Sequence, residues 1–225
     1  MRLRRLTIPI LTAGLLIGAA ALPAFAEVSG QGNVPRIGFG LGGGYGWHDL
    51  QNASSNGAGK PTGSEQFTGG FVFEGMISEH MGLQGSLWYF HEEMKFPSME
   101  GTKVRDYSTG FTIPMLAIFP FHAWRFTFGF LAGIEFFLMT SNRYSISGGG
   151  KTESFDALKF INYQQLAIAA GIDIRIAVFR FVDFFVSGTG EYFMTTFSND
   201  PSGGADRLYG YVIRTGVMFR TYHIF

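Results

Sequence analysis

The 225-residue chain contains no cysteine. A disulfide framework, a thiolate metal site and a lipid anchor on cysteine are therefore all closed to it. Charge is scarce: Asp, Glu, Lys and Arg make up 15% of the residues, against about 25% in ordinary soluble proteins. The 17 basic and 17 acidic residues balance, so there is no basic footprint for nucleic acid. The H-E-x-x-H spacing of zinc hydrolases and the phosphate-binding Walker loop are missing, and neither a metal nor a cofactor is expected. Beyond the first 26 residues there is also no apolar run long enough for a membrane helix, which needs about 20 residues. The richest stretch, Phe111 to Met139, is interrupted by Pro114, Pro120, His122, Arg125 and Glu135.

The N-terminus has a three-part layout. Arg2, Arg4 and Arg5 precede an apolar run from Leu6 to Leu22, and Ala24-Phe25-Ala26 follows. This reads as a secretory signal peptide over 1–26 with an A-x-A-like cleavage site, leaving one domain over 27–225. Export removes three arginines, so the remaining chain is mildly acidic.

What the chain does have is aromatic residues and glycine: 25 Phe, 9 Tyr and 32 Gly. They fall into alternating patterns. A membrane strand needs only about 9–11 residues, with apolar and polar side chains on opposite faces. Eight such segments are predicted, near 34–49, 67–78, 82–92, 107–119, 126–140, 165–177, 182–194 and 208–225. In the first, Ile37, Phe39, Leu41, Tyr45 and Trp47 alternate with Arg36, His48 and a run of glycines. This G-x-G run lacks the strand-to-helix turn and later acid of a dinucleotide site. In the fifth, Phe126, Phe128, Phe130, Ile134, Phe136 and Leu138 oppose Thr127, Gly129 and Glu135. The third is least regular, because Trp88 and Phe90 share the face of Gln84, Ser86 and Glu92. Pro114 interrupts the fourth, where a bulge in the wall is expected.

The charges bear on the choice between a sandwich and a membrane barrel, and the signal peptide, the inner glycines and the aromatic load tip it toward lipid. Arg36, Glu74, Glu92, Glu135, Asp173, Arg175, Glu191, Arg214 and Arg220 all fall opposite the apolar face. A charge facing lipid at mid-height costs about 2–4 kcal/mol, so this segregation fits a wall between hydrocarbon and a packed interior. Short connections near 79–81, 120–124 and 178–181 alternate with long ones near 50–66, 93–106, 141–162 and 195–207. That is the habit of barrels with short periplasmic turns and long outer loops. Tyr45, Trp47, Tyr192, Tyr209 and Tyr211 gather at the loop ends and Trp124 sits by a short turn, as an aromatic girdle would. The expectation is an all-β, transmembrane, antiparallel up-and-down barrel of eight strands in a bacterial outer membrane.

With its signal peptide, its Ile113-Pro114 pair and its ending Arg214-Thr215-Gly216-Val217-Met218-Phe219-Arg220 through Phe225, the chain resembles the small eight-stranded outer-membrane barrels of OmpA, OmpX, OmpW and opacity type. The resemblance implies that the terminal aromatic, Phe225, is an assembly signal read by the barrel assembly machinery. His223 stands where Tyr or an apolar residue is more usual. It implies outer-membrane lipid as the surroundings and two functional readings. One is a non-enzymatic barrel serving envelope structure or binding an external partner at its loops. The other is OmpW-like passage of small hydrophobic molecules.

An eight-stranded interior is just wide enough to be filled by side chains. Arg36, Glu74, Glu135, Asp173, Arg175, Glu191, Arg214 and Arg220 are accordingly expected to form an ion-pair network in the lumen, either as buried charges that must be paired or as a gate. The histidines, among them His48 and His91 near loop ends, show no pattern pointing to catalysis.

Overall fold

A computed structural model describes residues 37–51, 63–99, 102–123, 125–158, 161–179, 181–196 and 207–221. The expected signal peptide, Arg36, Trp124 and Phe225 lie outside them. No helix among the described residues is long and apolar enough to cross a membrane, which says nothing of a β-barrel.

Nine strands form one antiparallel sheet: β1 (Ile37–Gln51), β2 (Ser64–Ser78), β3 (Met81–Met99), β4 (Thr102–Ala123), β5 (Phe126–Gly148), β6 (Lys151–Asp156), β7 (Gln164–Phe179), β8 (Val182–Phe193) and β9 (Arg207–Thr221). Successive strands pair as neighbours, and β1 pairs with β9 along its whole length. The sheet thereby closes into an up-and-down barrel, the arrangement that leaves no edge in the wall. Eight strands make that wall. β6 pairs only with the upper end of β5, from Arg143 to Gly148. Followed around the ring, the pairs Gly43–Thr215, Thr215–Val186, Val186–Ile174, Ile174–Phe128 and Phe128–Phe121 run from the middle of β1 to the inner end of β4. The strands are therefore tilted and staggered, as closure of a barrel requires.

Each wall strand alternates between an outward apolar residue and an inward polar or small one. Phe39, Phe71, Leu83, Phe130, Ile172 and Ile213 are among those exposed on the outside. Outward-facing charges such as Asp49, Glu65, Lys95, Arg105 and Arg143 sit only at the strand ends beside the long connections. Glycine is sterically required where the wall coils most tightly. A β-carbon on Gly171 would lie 1.9 Å from the Gly188 carbonyl oxygen, and one on Gly42 would lie 2.2 Å from that of Thr215.

The structure departs from the sequence expectations in three places and bears out an unusual one. The connections expected near 93–106 and 141–162 are largely strand: β3, β4 and β5 run far past the apolar belt, and β6 folds back on β5. These extensions put charged and polar residues on their outward face, and their inward face mixes Asp106, Ser108 and Asn142 with Phe96 and Tyr144, so no apolar outward stripe marks them as wall. Second, Trp88 and Phe90 point inward, as their place on the face of Gln84, Ser86 and Glu92 required, and are 1% and 0% exposed. Third, Pro114 makes no bulge. Its pairing with Glu135 of β5 is in register, and the β3–β4 register is the same on either side of it. Two rungs are missing instead, where Ser86 and Leu87 would face Pro114 and Ile113. Proline has no N–H to donate, and the loss falls on the β3 side. The bulge of this hairpin lies at Thr109 and Gly110, against β5. Fourth, His48, expected at the rim, is buried in the lumen and 1% exposed.

Candidate functional site

The lumen is filled in layers. Its inner end holds five charges. Arg175, from β7, donates from Nη1 to Glu74 Oε1 at 2.7 Å and from Nη2 to the other Glu74 oxygen, on β2 across the barrel. Its Nε donates to Asp173 two residues earlier on the same face. Arg220 pairs with Asp183 beside them. The i and i+2 positions of a strand share a face, which sets Asp173 beside Arg175. The fork of a guanidinium satisfies two carboxylates at once, as burial demands.

Above this lies a packed belt of Val72, Trp88, Phe185 and Met218. Between it and Pro114, Gln84, Ser86 and Ser187 is a gap with room for about one water. Trp88 Nε1 and Arg214 Nε have no hydrogen-bond partner among the described residues, and Arg214 Cζ lies 5.6 Å from the Trp88 ring centre. Arg214 reaches Glu135 at 2.6 Å, Thr189 at 3.2 Å and Glu191 at 3.5 Å.

A third charged layer lies nearer the outside. His48 stands on β1 with Nδ1 3.0 Å from Glu92 of β3 and Nε2 3.1 Å from Glu191 of β8. Ser64 donates to the same Glu92 carboxylate. Phe137 and Phe193 pack edge-on against the imidazole. Over it sits an apolar lid of Leu50, Met94, Met139, Ile161 and Leu208, with Leu158 and Tyr163 at its margin, and Phe90 of the same cluster packs against Phe137. The segment after β6 folds inward to supply Ile161, fixed by backbone bonds from Ala157 to Asn142 and from Met139 to Tyr163.

On β4 the belt spans Phe111 to Phe121, and Asp106 lies five residues beyond it towards the outside. Asp106 accepts from Asn142, which also donates to Ser108 at 2.8 Å. Burial pushes the Asp106 carboxyl up to about 7, with the nearby Glu92 charge acting in the same direction.

The structure thus brings together seven of the expected ion-pair residues: Glu74, Asp173, Arg175 and Arg220 at the inner end, and Glu135, Glu191 and Arg214 midway. Arg36 lies outside the described residues. Four members of the filling were not singled out as site residues: His48, Glu92, Asp106 and Asp183. His48, Glu92 and Asp183 sit at inward positions of segments read as strands, so position alone would have flagged them, whereas Asp106 fell in a stretch read as a connection.

Above the lumen the wall is uneven. β3, β4, β5 and β6 form a sheet that stands beyond the ends of β7, β8 and β9. All six residues of β6 are exposed. The mouth-facing side of this sheet carries Phe96, Tyr144 and Phe155, with ring centres 5.9 Å and 5.2 Å apart in succession.

A closed ring of strands with an apolar outside and a charged inside satisfies its backbone internally and meets hydrocarbon with its exterior. The chain is an integral membrane β-barrel of the outer-membrane type. No family model and no curated protein sequence matches it. Among solved structures it is similar to Ail, the attachment invasion locus protein of Yersinia pestis (13% identity, 83% of this chain and 100% of that one, TM-score 0.41). It is also similar to the outer membrane protein OprG from Pseudomonas aeruginosa (12%, 85% and 99%, TM-score 0.45) and to Neisserial surface protein A (16%, 81% and 97%, TM-score 0.40). The barrel assignment rests on the strand ladder and the two faces of the wall.

Proposed function

We propose that the chain is a non-enzymatic surface barrel whose outer sheet binds an extended segment of an external partner. The observation that carries this reading is β6. Among the described residues it pairs on one side only, with β5, and it stands clear of the membrane. An unpaired edge offers main-chain donors and acceptors, and the row Phe96, Tyr144 and Phe155 beside it offers apolar contact for alternate side chains. The filled lumen supports a role outside rather than within the barrel. Against catalysis, both ring nitrogens of His48 are engaged by carboxylates and the Ser64 hydroxyl is engaged by Glu92, so neither forms a nucleophile–base pair. On this reading outer-membrane lipid surrounds the wall, and the barrel assembly machinery inserts it.

Proline at Glu153 or at Ser154 tests the edge, since adjacent residues alternate between the β5 side and the open side. One of the two variants is expected to lose binding to immobilised extracellular proteins while retaining the heat-modifiable gel mobility of a folded barrel. Full binding by both would refute the edge as the site.

One observation favours a second reading, lateral passage of small hydrophobic molecules. The two missing rungs beside Pro114 weaken the β3–β4 seam where it meets the water-sized gap in the lumen. Pro114→Ala restores a donor there and is expected to slow uptake of an apolar fluorescent probe by vesicles carrying the barrel. Uptake equal to that of empty vesicles, with or without the substitution, would dismiss this route.

A further inference from the structure

The described lumen holds seven buried carboxyls, from Glu74, Glu92, Asp106, Glu135, Asp173, Asp183 and Glu191. The inner three face Arg175 and Arg220. The outer four face only Arg214 and His48, so the charge state of His48 matters more than that of an isolated histidine. Its surroundings can be taken strand by strand. β3 presents Glu92 and β8 presents Glu191, each within hydrogen-bond distance of one ring nitrogen. β4 presents Asp106, near enough to Glu92 for the two charges to act on each other. β5 presents Glu135, paired with Arg214 of β9, and Arg214 also reaches Glu191. β2 presents Ser64 and Gln66, and β7 presents Gln165 and Ala167, none of which titrates near neutrality.

A neutral imidazole has one N–H; an imidazolium has two. Two carboxylates on opposite ring nitrogens can both be satisfied only by the charged form. We propose that His48 is a proton-dependent latch: as an imidazolium it ties β3 to β8 across the outer lumen beneath the apolar lid, and without its second proton the outer plug loosens. The latch goes beyond the surface-binding reading and does not depend on it. When the proton leaves, one of Glu92 and Glu191 keeps a bond to the ring and the other is left buried against a lone pair. A stranded buried carboxylate draws in water or moves towards it. Phe137 and Phe193 pack edge-on against the ring and belong to the apolar cluster of the lid, so movement of His48 disturbs that cluster.

Two measurements test the latch. The first is ¹⁵N spectroscopy of the histidine rings in the intact barrel in lipid nanodiscs at pH 7.5, with the His48 signal assigned by its loss in His48→Gln. Both His48 nitrogens are expected to be protonated. A neutral His48 ring at that pH overturns the proposal, and this outcome is read on the parent barrel, whatever the stability of any variant. The second uses the absence of cysteine. Thr68→Cys places one thiol on the inward face of β2 below His48, where a water-soluble thiol reagent added outside reports access. At constant pH, adding His48→Gln or Glu191→Gln is expected to speed labelling on the order of tenfold or more, the effect of losing one charge-assisted hydrogen bond. Adding His91→Gln, on the outward face where His91 stacks on Tyr107, leaves the rate unchanged. Labelling of folded His48→Gln barrels within about twofold of the parent rate would overturn the latch.

Discussion

Replacing Arg175 with Met would test most directly whether the lumen is held by its ion pairs. Arg175 is 2% exposed and makes two contacts with Glu74 and one with Asp173. Charge-assisted hydrogen bonds contribute about 1.5–3 kcal/mol each, so three suggest a loss of roughly 5–9 kcal/mol. That figure has a ceiling, because a stranded carboxyl can take up a proton. At pH 7, protonating a glutamate from its ordinary value near 4.3 costs about 3.5–4 kcal/mol. Arg220 remains close enough to hold one of the two carboxylates. The expected loss is therefore about 3–5 kcal/mol, the range for breaking a buried pair by removing one partner. Proton uptake adds a signature that lost packing cannot give. At pH 5 the stranded carboxyl protonates more cheaply, and the defect should shrink by about 2–3 kcal/mol, at 1.36 kcal/mol per pH unit. Removing the charges together, as Glu74→Gln, Asp173→Asn and Arg175→Met, should recover most of the loss. Urea unfolding in lipid vesicles, followed by tryptophan fluorescence and gel mobility at both pH values, gives all these quantities. A loss below about 1 kcal/mol at pH 7, or one that does not change with pH, would refute the reasoning.

Other consequences can be measured on the same preparation. Ile172 is exposed on the outward face of β7 at mid-belt, so Ile172→Arg should cost about 2–4 kcal/mol in a bilayer; a neutral effect would mean that this face does not meet hydrocarbon. Asp106 binds its proton more tightly in the folded barrel than in the unfolded chain, so its contribution to stability is fully present below about pH 4. It is lost as pH rises from there to about 7. Asp106→Asn should flatten that part of the stability profile, and an unchanged profile would contradict the role given to burial.

The fold was legible because each wall residue meets one of two environments, and the sequence alternates between them. Phe126 to Leu138 on β5 and Leu166 to Ile176 on β7 show their faces without any partner in view. What escaped were places where that contrast disappears. The upper parts of β3, β4 and β5 turn polar and charged residues outward instead of an apolar stripe, and all six residues of β6 are exposed, so neither could be told from a loop. Pro114 does break the ladder, as proline must. Whether it would also shift the register depended on which neighbour lost the N–H, a fact of pairing rather than of composition.

The candidate site divides along the same line. Position within a strand placed Glu74, Glu135, Asp173, Arg175, Glu191, Arg214 and Arg220 on the inward face, because a charge has nowhere else to go in a wall bounded by hydrocarbon. The amino-acid order by itself thus determined the barrel, its two faces and most of the charges that fill it. Only closure of the ring decided the pairings: Arg175 with Glu74 from across the barrel, and His48 between Glu92 and Glu191. Those contacts depend on tilt, stagger and which strands come to face one another, and these are set by the whole ring at once rather than by any stretch of chain.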